Sequence, residues 1–111
     1  MMKILVLTEH DDCCGPMAAA FLRDYSEQLE VVSAGRHPGN TFSSLLVEAM
    51  RECLIDLKGY VPRDVASVNV SEYDAVYECP DEPCPGTLEA SRELRDFIKN
   101  ESFKYYKKSR S

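Results

Sequence analysis

Four of the five cysteines in this 111-residue chain lie in two short polar segments, where their thiols could do chemistry. Cys13 and Cys14 end a run rich in carboxylates, and Cys79 and Cys84 flank a proline-rich stretch. A thiol at a helix N-terminus has a lowered pKa, and neighbouring thiols can exchange disulfides. The odd number of cysteines and the lack of a recognisable secretory signal favour free thiols in the cytosol over a structural disulfide framework.

The first of these segments is also dense in potential metal ligands, because Glu9, His10, Asp11 and Asp12 precede its two cysteines. The two later cysteines could complete a zinc shell. The spacing matches no standard zinc pattern, however, and adjacent side chains point apart. We therefore expect no metal site, and we expect no other cofactor.

Alternating strand and helix patterns place these segments in a fold. Short apolar runs predict strands at residues 3–8, 29–34 and 74–79. Helical spacing predicts helices that begin at Pro16, near Thr41 or Ser43, and after Thr87. The valines between residues 65 and 70 could form a fourth short strand or pack under a loop.

This order predicts a three-layer α/β/α domain with a short parallel sheet of strand order 2-1-3. Ligands of such sheets sit at the carboxyl ends of the strands. The loops at residues 9–15 and 80–86 should therefore meet there, which would bring the two cysteine segments together.

Charge and length bound the classes of partner. The net charge of −6 argues against general nucleic-acid binding, and no apolar run is long enough to span a bilayer. We expect one domain over residues 1–102 and a basic tail over 103–111, which holds four basic residues and no acidic one. The tail is interpreted as a fraying terminus, with contact to RNA or an acidic partner as the alternative.

Several blocks of the sequence resemble one known family. The stretch ILVLTEHDDCCGPMAAAF resembles the phosphate-binding loop of low-molecular-weight protein tyrosine phosphatases and the related thioredoxin-coupled arsenate reductases. In that family a strand leads to the pattern C-x-x-N-x-C-R-S-P-M-A-E-A at a helix start. The later blocks SAGRHPGN, VEAMRECLIDLKGYVP and YDAVYEC resemble further family motifs in the same order, over residues 3–79. The resemblance implies the family's fold.

The departures from the family pattern fall on its chemical groups. The resemblance places the family's nucleophilic cysteine on Thr8 and its loop asparagine on Asp11. The second cysteine is kept as Cys13. The phosphate-binding arginine falls on Cys14, and the serine that assists the leaving thiolate falls on Gly15.

These replacements predict a degenerate phosphate-binding loop. A threonine hydroxyl has no accessible anion, and a cysteine cannot replace the planar fork of arginine. A carboxylate ~6 Å from a phosphate charge repels it by roughly 3 kcal/mol at an effective dielectric of 20. The helix N-terminus offers only ~0.3–1 kcal/mol in return. The first interpretation is thus a non-catalytic binding or regulatory protein with an unidentified protein partner.

The segment at residues 79–86 allows two alignments that exclude each other. One places the family's general acid on Glu82, before Pro83. The other resembles the reductase loop and makes Cys79 and Cys84 a redox pair, working with Cys13 or Cys14 and a thioredoxin-like reductant. A third interpretation keeps phosphatase activity with a relocated nucleophile, Cys13.

Overall fold

A computed structural model describes residues 2–110 of the chain. Its three strands are β1 (Met2–Thr8), β2 (Leu29–Gly35) and β3 (Ala75–Glu78). They form one parallel sheet in the order β2-β1-β3. The α/β class and the 2-1-3 order are confirmed.

Three helices connect and follow these strands: α1 (Cys14–Tyr25), α2 (Ser44–Arg51) and α3 (Leu88–Arg110). Ser43, one of the two predicted caps, accepts a hydrogen bond from the amide of Leu46 at 3.5 Å. Thr87 caps α3 by accepting from the amide of Ala90 at 3.1 Å. Each hydroxyl satisfies one of the N–H groups that a helix start leaves unpaired.

One buried cluster joins β1 to all three helices. Alternate β1 side chains, Ile4 and Val6, face into it and are fully buried. The helices add the following buried residues: Met17, Phe21, Leu22, Leu46, Met50 and Ile98. The alanine-rich start of α1 is buried as well, which lets the helix lie close to its neighbours.

The possible fourth strand at residues 65–70 is wrong. Val65–Ser67 and Val70–Glu72 are single turns of 3-10 helix. Asp64 starts the first turn, because its carboxylate accepts from the amide of Ala66 at 2.9 Å. The β-branched residues favour a strand by propensity, but this local cap decides the backbone.

Residues 103–110 continue α3, so the expected fraying end is helical here. Tyr105 stacks on Tyr77 of β3 with ring centroids 4.1 Å apart, and Phe103 packs edge-on against Tyr25 of α1. These aromatic contacts hold the basic segment on the body of the protein. The division into a domain and a tail stays a prediction.

Within residues 2–110, none of the helices combines the length and the apolar character needed to cross a membrane.

Candidate functional site

The loops that follow the three strands lie side by side at the carboxyl end of the sheet. The loop after β2 runs along the loop after β1. The amide of Arg36 donates to the Thr8 carbonyl at 3.1 Å, and the amide of His37 donates to the Glu9 carbonyl at 2.7 Å. Backbone bonds of this kind fix the path of the loop between β1 and α1.

Thr8, on which the resemblance places the family's nucleophilic cysteine, is buried at the end of β1. Its Oγ1 accepts a hydrogen bond from the amide of Asp11 at 3.1 Å. Gly15 lies against it, because a Cβ at this glycine would stand 3.0 Å from Thr8 Oγ1. The hydroxyl is therefore enclosed by the loop and the start of α1.

Asp11 is buried inside the loop. Its Oδ2 accepts from the hydroxyl of Tyr60 and from the amide of Arg63, the latter at 2.8 Å. Its Oδ1 is buried without a hydrogen-bond partner. Burial raises the pKa of Asp11 above the usual range for a carboxyl, with the bonds from Tyr60 and Arg63 opposing the shift. Asp11 thus anchors the loop and does not face a ligand.

The loop after β3 covers the loop after β1. The amide of Glu9 donates to Asp81 Oδ2 at 2.9 Å. The amide of Glu82 donates to Cys14 Sγ at 3.4 Å, and the Cys14 thiol donates back to the Glu82 carbonyl at 3.7 Å. The predicted meeting of the two cysteine loops is confirmed by these contacts. Asp81 was missed by sequence reasoning, although it adjoins Glu82.

A disulfide joins Cys13 to Cys84, with their Cα atoms 5.7 Å apart. In this structure Cys84 is thus bonded to Cys13, whereas one of the two alignments of residues 79–86 paired it with Cys79. Cys79 lies directly after β3 and is buried, and its thiol donates to the Pro80 carbonyl at 3.3 Å. Cys84 comes five positions later, which is far enough along the loop to reach the start of α1.

The two thiols that remain beside the disulfide are poor nucleophiles. Burial raises the pKa of Cys14 to about 11, and the nearby carboxylates of Asp81 and Glu82 act in the same direction. Burial also raises the pKa of Cys79. Both are neutral thiols at pH 7, because desolvation disfavours the charged form.

An open groove of about 410 Å³ lies over the disulfide. Eight residues line it: Glu9, His10, Asp12, Cys13, Asp81, Glu82, Pro83 and Cys84. Four of them carry carboxylates, so the groove is negative. Glu82, the residue at the possible general-acid position, lies on its exposed rim and reaches Cys14 only through backbone atoms.

His10 and His37 form hydrogen bonds at the side of the groove that contains Glu9. His37 Nδ1 lies 2.6 Å from Glu9 Oε1, and His10 Nδ1 lies 2.7 Å from the His37 carbonyl. The bond from His37 lowers the pKa of Glu9, and the carbonyl of His37 raises the pKa of His10. His37 was not among the candidate site residues that the sequence indicated. Its role could not be found there, since the contact joins loops 28 positions apart.

The β1–loop–α1 unit at the end of a parallel sheet defines the class of protein. Residues 3–106 match the family Low molecular weight phosphotyrosine protein phosphatase, and the chain belongs to this family.

Solved structures with the same fold share little sequence with the chain. An arsenate reductase in its phosphate-binding state has a TM-score of 0.85 at 20% identity, covering 97% of this chain and 98% of that one. A low-molecular-weight protein tyrosine phosphatase from T. tengcongensis has a TM-score of 0.82 at 18% identity, covering 97% and 99%. Wzb of Vibrio vulnificus, in complex with benzylphosphonate, has a TM-score of 0.81 at 18% identity, covering 96% and 98%. No curated protein is significantly similar in sequence.

Proposed function

We propose that this chain has lost phosphoryl transfer and acts as a non-catalytic binding or regulatory member of its family. The observation that carries the proposal is the state of Thr8. Its buried hydroxyl accepts a hydrogen bond from the Asp11 amide, and the adjacent Asp11 carboxyl is occupied by Tyr60. An alcohol needs an activating base to attack phosphorus. The neighbouring carboxyl, Asp11, is buried and bound through Oδ2 to Tyr60 and Arg63, and its Oδ1 makes no hydrogen bond to Thr8.

The anion-binding side of the site supports the same conclusion. Cys14, at the family's arginine position, is a neutral buried thiol bonded to the backbone of Glu82. Asp81 accepts from the Glu9 amide, a donor that an oxyanion would need. A groove carboxylate ~6 Å from a phosphate repels it by roughly 3 kcal/mol at an effective dielectric of 20, less where solvent screens it. The N-terminus of α1 contributes only ~0.3–1 kcal/mol.

The ligand we propose for the groove is a protein partner with a basic surface, since four carboxylates line it. Opposite charge steers such a partner and fixes its orientation. Binding should weaken in Asp12→Ala and Asp81→Ala and at higher salt. If both variants bound the partner with unchanged affinity, the groove would not be its binding site.

Hydrolysis of p-nitrophenyl phosphate tests the loss of catalysis. The purified protein is assayed with a reductant, so that the Cys13–Cys84 disulfide is open, beside Thr8→Ala and Cys13→Ser. We expect all three proteins to match the background rate. A rate that Thr8→Ala abolishes would contradict the proposal. A rate that only Cys13→Ser abolishes would establish the relocated nucleophile.

A second candidate function, thiol-disulfide exchange, is favoured by the Cys13–Cys84 disulfide itself. Cys84 is exposed, so a thiolate of a thioredoxin-like dithiol can attack it, while Cys13 is buried. The reductant supplies two electrons and two protons and becomes a disulfide, and this chain is left with two thiols. A cytosolic location, which remains a prediction, would supply such reductants.

The midpoint potential of the pair decides whether this exchange is physiological. It is measured by alkylation and mass spectrometry in glutathione or thioredoxin buffers. Exchange predicts a value above about −300 mV, whereas a structural disulfide lies below it. Cys79→Ser is the matched control and should leave the value unchanged. A midpoint potential below that value would mean that the disulfide is structural and would exclude the exchange.

A further inference from the structure

The disulfide belongs to a cluster with a third polar group. Among residues 2–110, the carboxylate of Asp12 and the sulfurs of Cys13 and Cys84 all lie within 4.8 Å of one another. Cys13 is buried, Asp12 is half-buried and Cys84 is exposed. Two sulfurs and one oxygen at such distances form a set that can converge on one ion.

We propose that Asp12, Cys13 and Cys84 bind a divalent cation of the zinc type once the disulfide is reduced. A dithiol reductant supplies two electrons and two protons, the sulfur–sulfur bond breaks, and the reductant leaves as a disulfide. The metal then displaces the two thiol protons into solvent and binds both sulfurs and the carboxylate. Water fills the fourth position.

The distances suit this ion. Zinc binds thiolate sulfur at about 2.3 Å and carboxylate oxygen at about 2.0–2.2 Å, so two ligands on one ion lie no more than about 4.6 Å apart. The three ligand atoms already lie within nearly that separation. After reduction the two sulfurs are no longer bonded to each other, and they must move apart to take up an ion between them. The sequence predicted no metal here, because its ligand spacing matches no standard zinc pattern and the side chains of adjacent residues were expected to point apart.

The negative charge around the cluster attracts a cation, just as it repels phosphate. Glu9, Asp81 and Glu82 line the same groove as the three ligands. Their combined field attracts a divalent ion, and the open groove has room for its water ligand. Cys13 also precedes the first residue of α1, where the helix N-terminus stabilises a thiolate. Oxidation removes both thiolates, so metal occupancy would report the redox state of the chain.

Zinc titration of the reduced and oxidised full chain tests this site. The protein is reduced with dithiothreitol, which is then removed without oxygen, and zinc is titrated against a chromophoric chelator. We expect one equivalent of zinc in the reduced protein and none in the oxidised protein. Cobalt in place of zinc should give a thiolate-to-metal charge-transfer band.

Single substitutions test which side chains bind the zinc ion. Cys84→Ser and Asp12→Asn should each weaken binding by about tenfold or more, and Cys84→Ser should diminish the cobalt band. Cys53→Ser and Asp24→Asn, on residues outside the cluster, are matched controls and should bind as the parent does. A reduced protein that binds no zinc, or that binds it equally well in Cys84→Ser, would overturn the proposal. Loss of binding in Cys14→Ser with Cys84→Ser unaffected would overturn it as well.

Discussion

At the scale of single residues, Asp11 combines two unusual features in one position. Its φ of +52° lies in the left-handed region, which aspartate and asparagine tolerate better than most residues. Its carboxyl is buried, with one oxygen bonded to Tyr60 and Arg63 and the other unpaired. The loop geometry suits a short polar side chain here, whereas burial disfavours its charge more strongly than the bonds from Tyr60 and Arg63 favour it.

Asp11→Asn should therefore raise stability at neutral pH. Because the folded-state pKa of Asp11 is raised, the carboxyl costs nothing below its unfolded pKa near 3.9 and costs progressively more as the pH rises through the folded value. An amide keeps the acceptor for Tyr60 and Arg63 and removes this cost, with its NH2 group in the place of the unpartnered Oδ1. Denaturant unfolding of both proteins between pH 4 and pH 8 measures the difference.

The gain should be largest at high pH and should shrink as the pH falls toward 4. Asp24→Asn, at an exposed position in α1, should stay within about 0.5 kcal/mol of the parent throughout. An Asp11→Asn protein that is less stable than the parent at every pH would mean that the charge itself is needed.

At the scale of elements, Gly35 lets the end of β2 touch the loop after β1. A Cβ at this glycine would stand 2.8 Å from the carbonyl carbon of His10 and 2.9 Å from the amide nitrogen of Asp11. Both neighbours are backbone atoms, so they cannot move aside as a side chain can. The glycine is needed for close approach and not for its backbone angles.

Gly35→Ala should lower the free energy of unfolding by about 1–3 kcal/mol, the usual cost of overpacking. Denaturant unfolding measures this loss, with the two proteins fitted to the same dependence of unfolding free energy on denaturant concentration (the same m-value). Gly86→Ala is the matched control, because a Cβ there meets nothing within 4 Å, and its effect should stay within about 0.5 kcal/mol. Equal losses in the two variants would point to a general effect of alanine.

The elements were largely predictable, since strand and helix periods are local signals and parallel order follows from right-handed crossovers. The pairing of Cys13 with Cys84 was not. Which sulfur meets Cys13 depends on the path of a proline-rich loop, and periodicity says nothing about such paths. The possible strand at residues 65–70 was wrong for a different local reason, because the hydrogen bond from the Ala66 amide to Asp64 outweighs a weak strand propensity.

At the scale of the whole molecule, the site is assembled from loops that are distant in sequence. Thr8 and Cys14 come from the β1–α1 segment, while Asp81 and Cys84 come from the loop after β3. The family resemblance identified the first pair of substitutions. The sequence predicted that the two loops meet, and the structure shows that Asp81 and Cys84 make the contacts with the first loop.

Restoring phosphatase activity should therefore require changes in both segments. Thr8→Cys with Cys14→Arg alone should give little turnover, because Asp81 and Cys84 still close the loop. Adding Asp81→Ala and Cys84→Ser should raise hydrolysis of p-nitrophenyl phosphate by about tenfold or more over the double variant. A folded quadruple variant with no added activity would show that a proton donor is also missing.

The Cys13–Cys84 bond has a consequence for how the chain is degraded. It closes a ring across a sequence separation of 71 residues, which includes β2 and β3 but not β1. In the chain-entropy account, a ring of this size restricts the unfolded state by about 4 kcal/mol at 25 °C. A protease that cuts once within the ring leaves two fragments still covalently joined. The oxidised molecule would therefore survive a single cleavage in one piece, and a reducing environment would decide when its halves come apart.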